Sequence, residues 1–156
     1  MGLEEELGLR KGFSVSEHEA ILNIYYTASR LKKQAGEFFR PLDLTDVQFN
    51  VMMLLGHQSG PEGGLSQAKI SDMMLVNRAN ITSLIDRMEK SGLVVRTAAP
   101  DDRRCNIVKL TYKGERLLAK VAPLYEKQVK KIMACLKEAE QKKLIAMLEK
   151  IRSKLP

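Results

Sequence analysis

The sequence predicts a mainly α-helical chain with one small β-wing, and three observations support that expectation. Apolar residues recur at spacings of three and four over most of the length, as one-faced helices require. Near the middle, two short helical stretches follow one another closely, each opening on a side chain able to cap it. Two β-prone runs come directly after them, residues 93–96 and 106–110, joined by the polar basic turn Thr97-Ala98-Ala99-Pro100-Asp101-Asp102-Arg103-Arg104-Cys105.

Taken in order, residues 1 to about 13 are charged and hold three glycines, which predicts an irregular arm. A long helix follows, its apolar side marked by Ile21, Leu22, Ile24, Tyr25, Ala28, Leu31, Ala35, Phe38 and Phe39. Ser14 or Ser16 is placed to cap it, and it ends near Arg40-Pro41 because the residue before proline avoids helical geometry. Thr45, with Gln48 three residues on, caps a second helix containing Phe49, Val51, Met52, Leu54 and Leu55. The glycine-rich run from Gly56 to Gly64 breaks it, and Leu65 is a candidate third strand beside the ribbon.

Ser66 then caps a short helix with Ala68, Ile70, Met73 and Met74 on one face. Leu75 occupies the turn, so the turn either bends differently from one built on glycine or holds a strained leucine. Asn77 caps the next helix, in which Ile81, Leu84, Ile85 and Met88 form the apolar face. Its other face carries Arg78, Asn80, Thr82, Ser83 and Arg87, side chains able to donate to phosphates and base edges. Ser91-Gly92 stops it. After the ribbon, Thr111 caps a long helix to about Leu136, with Pro123 expected to bend it, and a last helix begins between Glu138 and Gln141. Two short helices followed by a ribbon with an arginine tip make a winged helix-turn-helix, a nucleic-acid reader.

The charge agrees with such a partner. The 156 residues carry a formal net charge of +7, with a sequence pI near 9.5. Residues 1–63 hold 6 Lys and Arg against 9 Asp and Glu, residues 64–116 hold 10 against 6, and residues 117–156 hold 10 against 4. The reader is therefore basic, while the C-terminal excess also reads as a solvated helix face. Two cysteines, Cys105 and Cys135, are too few for a disulfide framework and lack metal-site spacing. No run approaches the roughly 20 apolar residues of a membrane span, so the expectation is a soluble cytoplasmic chain. The first helix and the last two cannot all bury their apolar faces on so small a reader, which predicts a twofold dimer.

The stretch resembles the multiple antibiotic resistance regulator (MarR) family of bacterial transcription factors. The resemblance rests on the helix-turn-helix ending IDRMEKSGLVVR, the wing Asp102-Arg103-Arg104, the junction VKLTYKG from Val108 to Gly114, and the flanking helices. It covers about residues 14–155 of a single MarR-like chain, residues 1–156, and implies a winged helix-turn-helix DNA-binding region over 42–110. It also implies helical dimerisation regions at 14–40 and 111–155, in a homodimer whose recognition helices enter successive major grooves of double-stranded DNA. Asn77, Arg78, Asn80, Thr82, Ser83 and Arg87 would then belong to the recognition helix. Asp102, Arg103 and Arg104 would belong to the wing, where Arg104 enters the minor groove. Such regulators take small aromatic or phenolic ligands near their first, second and fifth helices, which makes Tyr25, Phe49, Met52 and His57 candidate pocket residues. The function implied is a repressor of pseudo-palindromic operators, relieved by such a ligand.

Other chemistries find little support. No nucleophile elbow, phosphate-binding glycine loop, catalytic carboxylate pair or metal triad is legible, so no catalytic residue, cofactor or metal is expected. Relatives that sense oxidants resemble one another in a cysteine on the first helix, and this chain has none there. Two alternatives to the regulator are a winged-helix module that docks protein and an architectural binder without sequence preference.

Overall fold

The computed structural model describes residues 2–58, 63–75, 77–99 and 105–156. They form helices α1 (Leu3–Leu7), α2 (Ser16–Phe39), α3 (Asp46–Gln58), α4 (Gln67–Met74), α5 (Arg78–Lys90), α6 (Tyr112–Met133) and α7 (Glu138–Arg152). A 3-10 turn, Arg40–Leu42, follows α2, and three strands are interleaved: β1 (Leu65–Ser66), β2 (Val94–Ala98) and β3 (Asn106–Leu110). The chain is mainly α with a small antiparallel wing, as expected. It divides into two compact units, Met1–Leu54 and Leu55–Pro156.

In the first unit, the N-terminal arm is ordered where the sequence predicts irregularity. Leu3 is buried, and the Glu4 carboxylate accepts from the Phe13 N–H at 2.6 Å, which folds the arm back on itself. Gly8, at φ 63°, ends α1 in the left-handed region that suits glycine. The expected serine cap of α2 is absent: Val15 holds the cap position without a side-chain bond, and the Ser16 hydroxyl turns to the Glu17 carboxylate instead. Helix α2 stops at Phe39, just before Pro41. Thr45 and Gln48 form the expected reciprocal cap of α3, at 2.9 and 3.1 Å. Phe39 packs on Phe49 with ring centroids 4.8 Å apart, and Val51 and Met52 are fully buried.

In the second unit, α3 does not break at Gly56 but continues through His57 to Gln58. Gly56 is a close-approach glycine here, because a Cβ on it would stand 2.7 Å from Leu118 Cδ2 of α6. Strand β3 is central in the order β1-β3-β2, with Leu65 opposite Val108 and Arg96 also opposite Val108 from the other side. The third strand at Leu65 is thus present, while β2 starts and ends later than the sequence suggests. The core consists of Ile70, Ile81, Ile85, Met88, Val94, Val108 and Val121, all fully buried. On α4 the expected apolar face is rotated: Ser71 is buried and Met73 is exposed. Helix α6 runs through Pro123.

Candidate nucleic-acid interface

Helix α5 is built to present one face outward. Asn77 Oδ1 accepts from the Asn80 N–H at 2.9 Å and starts it, while Ile81, Leu84, Ile85 and Met88 bury its inner side. With 3.6 residues per turn, Ala79, Ser83, Asp86 and Lys90 form the outermost line. Arg78, Thr82 and Glu89 lie along the edge facing α4 and β2, and Asn80 and Arg87 lie along the other edge. The predicted residues are therefore all exposed on one helix but are spread over two edges rather than one line. The small Ala79 and Ser83 between them leave the helix surface low at its centre. The wing residues Asp102, Arg103 and Arg104 lie outside the described residues.

The helix before it is set by similar local chemistry. Ser66 Oγ accepts from the Lys69 N–H at 3.1 Å and caps α4. Leu75 closes it at φ 52° and ψ 39°, so the turn of the motif holds a leucine in the left-handed region, 92% exposed. The cost of that conformation for a residue with a Cβ is about 1 kcal/mol.

The far end of α5 is tied to α6. Thr111 Oγ1 accepts from the Gly114 N–H at 3.1 Å and donates to the Gly92 carbonyl at 2.5 Å. Lys113 Nζ donates to the Ser91 carbonyl at 2.7 Å, so the carbonyls just past the end of α5 are bound by the first turn of α6. Gly114 is needed because a Cβ there would overlap the Leu93 carbonyl oxygen. These contacts give the Thr-Tyr-Lys-Gly junction a physical role, which is to fix α5 against the helix that follows the wing.

A group the sequence did not single out fixes the wing side. Arg96 of β2 donates through one terminal nitrogen to Asp86 at 2.5 Å, through the other to Glu89 at 2.6 Å, and through Nε to Gln67 at 3.1 Å. The backbone N–H of Arg96 also donates to Glu89, at 3.0 Å. These backbone and side-chain bonds from Arg96 hold the Glu89 carboxyl below its ordinary pKa. Gln67 in turn donates to Thr82 Oγ1 at 3.1 Å. Asp86 and Glu89, three apart on a helix edge, and an arginine closing the apolar run Leu93-Val94-Val95 were the available signal.

Of the candidate ligand residues, Phe49 and Met52 are fully buried in the first unit and Tyr25 is 66% exposed. His57 lines a cavity of about 480 Å³ in the second unit, with Gly56, Leu110, Glu115, Leu118 and Ala122. Among the described residues, no three His, Cys, Asp or Glu side chains cluster to hold a metal, and no helix is long and apolar enough to cross a membrane.

A capped helix pair framed by a small three-stranded sheet, one strand before it and two after, with a polar outward helix, defines a winged helix-turn-helix protein. Residues 42–104 match the model of the MarR family. The chain is 29% identical over 146 residues to the uncharacterised helix-turn-helix regulator YkoM of Bacillus subtilis, covering 91% of this chain and 92% of that one. It is 30% identical over 108 residues to the transcriptional regulator MhqR of the same organism, covering 69% of this chain and 72% of that one. The S. aureus MepR structure, solved as a DNA complex, superposes with a TM-score of 0.78 over 92% of this chain and all of that one, at 22% identity, a likeness of fold. The chain belongs to the MarR family of transcriptional regulators, not to a family of enzymes.

Proposed function

We propose that the chain is a homodimeric repressor that reads a pseudo-palindromic operator in double-stranded DNA. The single observation that carries the reading is α5: a helix buried on one side by Ile81, Leu84, Ile85 and Met88 and exposing Arg78, Asn80, Thr82, Ser83 and Arg87 on the other. A helix of that make fits the major groove, with Arg78 and Arg87 at phosphates and Asn80, Thr82 and Ser83 near base edges. Asp102, Arg103 and Arg104 form the wing contact, with Arg104 in the minor groove. MepR was solved on DNA, and the same partner is proposed for this fold.

Residues 42–110 form the reader and residues 14–40 and 111–155 the dimerisation helices. Apolar side chains left in water support the second part: Ile21 and Leu31 on α2, Leu124 and Val129 on α6, and Ile145 and Ile151 on α7 are all exposed. A second copy of the chain covers them, and two readers then meet half-sites about 10 bp apart. A small aromatic or phenolic ligand relieves repression by binding better to a dimer whose readers are wrongly spaced. The cavity beside His57 is the seat the second unit offers, its apolar wall supplied by Leu110, Leu118 and Ala122. Footprinting on the region upstream of its own gene tests the proposal. Two protected patches one helical turn apart are expected, and continuous or absent protection contradicts it.

A further inference from the structure

One surface hydroxyl on α5, that of Thr82, has two of its three hydrogen-bonding positions taken inside the protein. The Arg96 guanidinium is only 17% exposed and is held on two sides by Asp86 and Glu89. Its Nε–H is directed at the Gln67 side-chain oxygen, 3.1 Å away. A guanidinium only donates, so the oxygen of the Gln67 amide faces Arg96 and its NH2 faces the other way. That nitrogen stands 3.1 Å from Thr82 Oγ1, and Thr82 therefore accepts from it. Thr82 Oγ1 is also 3.0 Å from the Arg78 carbonyl oxygen, which only accepts, so the one hydroxyl hydrogen is directed into the helix. The hydroxyl has one lone pair left to offer outward.

We infer that Thr82 is a specificity-determining residue that accepts from the exocyclic amino group of an adenine or cytosine and makes no phosphate contact. The inference rests on the proposed reading of DNA by α5. Phosphate oxygens, guanine O6, thymine O4 and purine N7 are all acceptors, and each meets another acceptor at Thr82. Only adenine N6 and cytosine N4 bring a hydrogen to it in the major groove. Arg78, Asn80 and Ser83 have donors to present, so Thr82 differs from its neighbours in the bases it suits. Asp86, Glu89 and Arg96 act one step removed: they hold Gln67 with its NH2 toward Thr82, which fills one lone pair, while the Arg78 carbonyl takes the hydroxyl hydrogen.

The test is selection of binding sites from a randomised duplex pool by wild type, Thr82→Val, Thr82→Ala and Thr82→Ser, with affinity for a scrambled duplex measured for each. Wild type is expected to prefer adenine or cytosine by about fivefold at one position of each half-site, the worth of one net hydrogen bond. Thr82→Ser keeps that preference, because it keeps the hydroxyl. Thr82→Val and Thr82→Ala lose it, with affinity for the scrambled duplex unchanged. Thr82→Ala carries the result should the valine variant fold poorly, which thermal melting reports. A selective wild type whose choice Thr82→Val and Thr82→Ala preserve, or a loss of affinity in those variants shared equally by the scrambled duplex, overturns the assignment alone. A wild type that selects no sequence overturns the DNA reading beneath it as well.

Discussion

Replacing Gly114 by alanine sets two physical effects against each other. Intrinsic helix propensity favours alanine over glycine in α6 by about 1 kcal/mol. The structure predicts the opposite sign. A Cβ at this position overlaps the Leu93 carbonyl oxygen and lies 3.2 Å from Leu110 Cδ2. That carbonyl cannot turn away freely, because it accepts the Thr111 N–H at 3.1 Å. Relief requires the start of β2 and the first turn of α6 to separate. Losing the Thr111 bond costs about 1 kcal/mol, and loosening the packing around Leu93 and Leu110 costs about 2 kcal/mol. After the propensity gain, the net is destabilisation by about 2 kcal/mol, a fall in melting temperature of roughly 6 °C for a chain of this size. Urea unfolding followed by circular dichroism measures it. A Gly114→Ala variant as stable as wild type, or more stable, would reduce the close approach of Leu93 to a minor contact.

Three further predictions follow the same residues. Glu89 has a folded pKa below its ordinary value of 4.5, so its contribution is present above that pH and is lost as pH falls through the lowered value. The stability gap between wild type and Glu89→Gln should therefore narrow on acidification, and a gap constant from neutral pH to pH about 3 would contradict the assignment. Leu75→Asn should stabilise by about 0.5 kcal/mol, since asparagine tolerates the left-handed backbone that leucine holds under strain; a lower melting temperature counts against it. Thr97 has a buried hydroxyl with no hydrogen-bond partner among the described residues, so Thr97→Val should raise stability by about 1 kcal/mol in urea titration. A drop of that size would mean the hydroxyl is satisfied.

What the sequence made legible was mostly what depends on neighbours a few residues away. The caps at Thr45, Ser66, Asn77 and Thr111 each link a side chain to a backbone N–H three residues on, and each is present. The four buried positions of α5 follow from helix period alone. Two of the misreadings involve partners farther along the chain. Leu3 and Glu4 order an arm whose composition suggests irregularity, because Glu4 meets the N–H of Phe13. Gly56 reads as a breaker, yet it stays helical where Leu118 approaches. On the short helix α4, too few turns were available to fix the phase, and Ser71 rather than Met73 turned inward. In the interface, the polar face of α5 was visible from its spacing. The Arg96 group was not, because Gln67 lies 29 residues from its partner.

Reading of a specific operator by a dimer, through this α5 face and the wing, can be measured in solution. Fluorescence anisotropy tests it most directly, using the purified chain with a duplex bearing the palindrome nearest its own coding region and with a scrambled control, at two salt concentrations. Binding of one dimer per palindrome is expected, weakening steeply with salt and far tighter than to the control. Equal weak binding to both duplexes, or no binding to either, would contradict it.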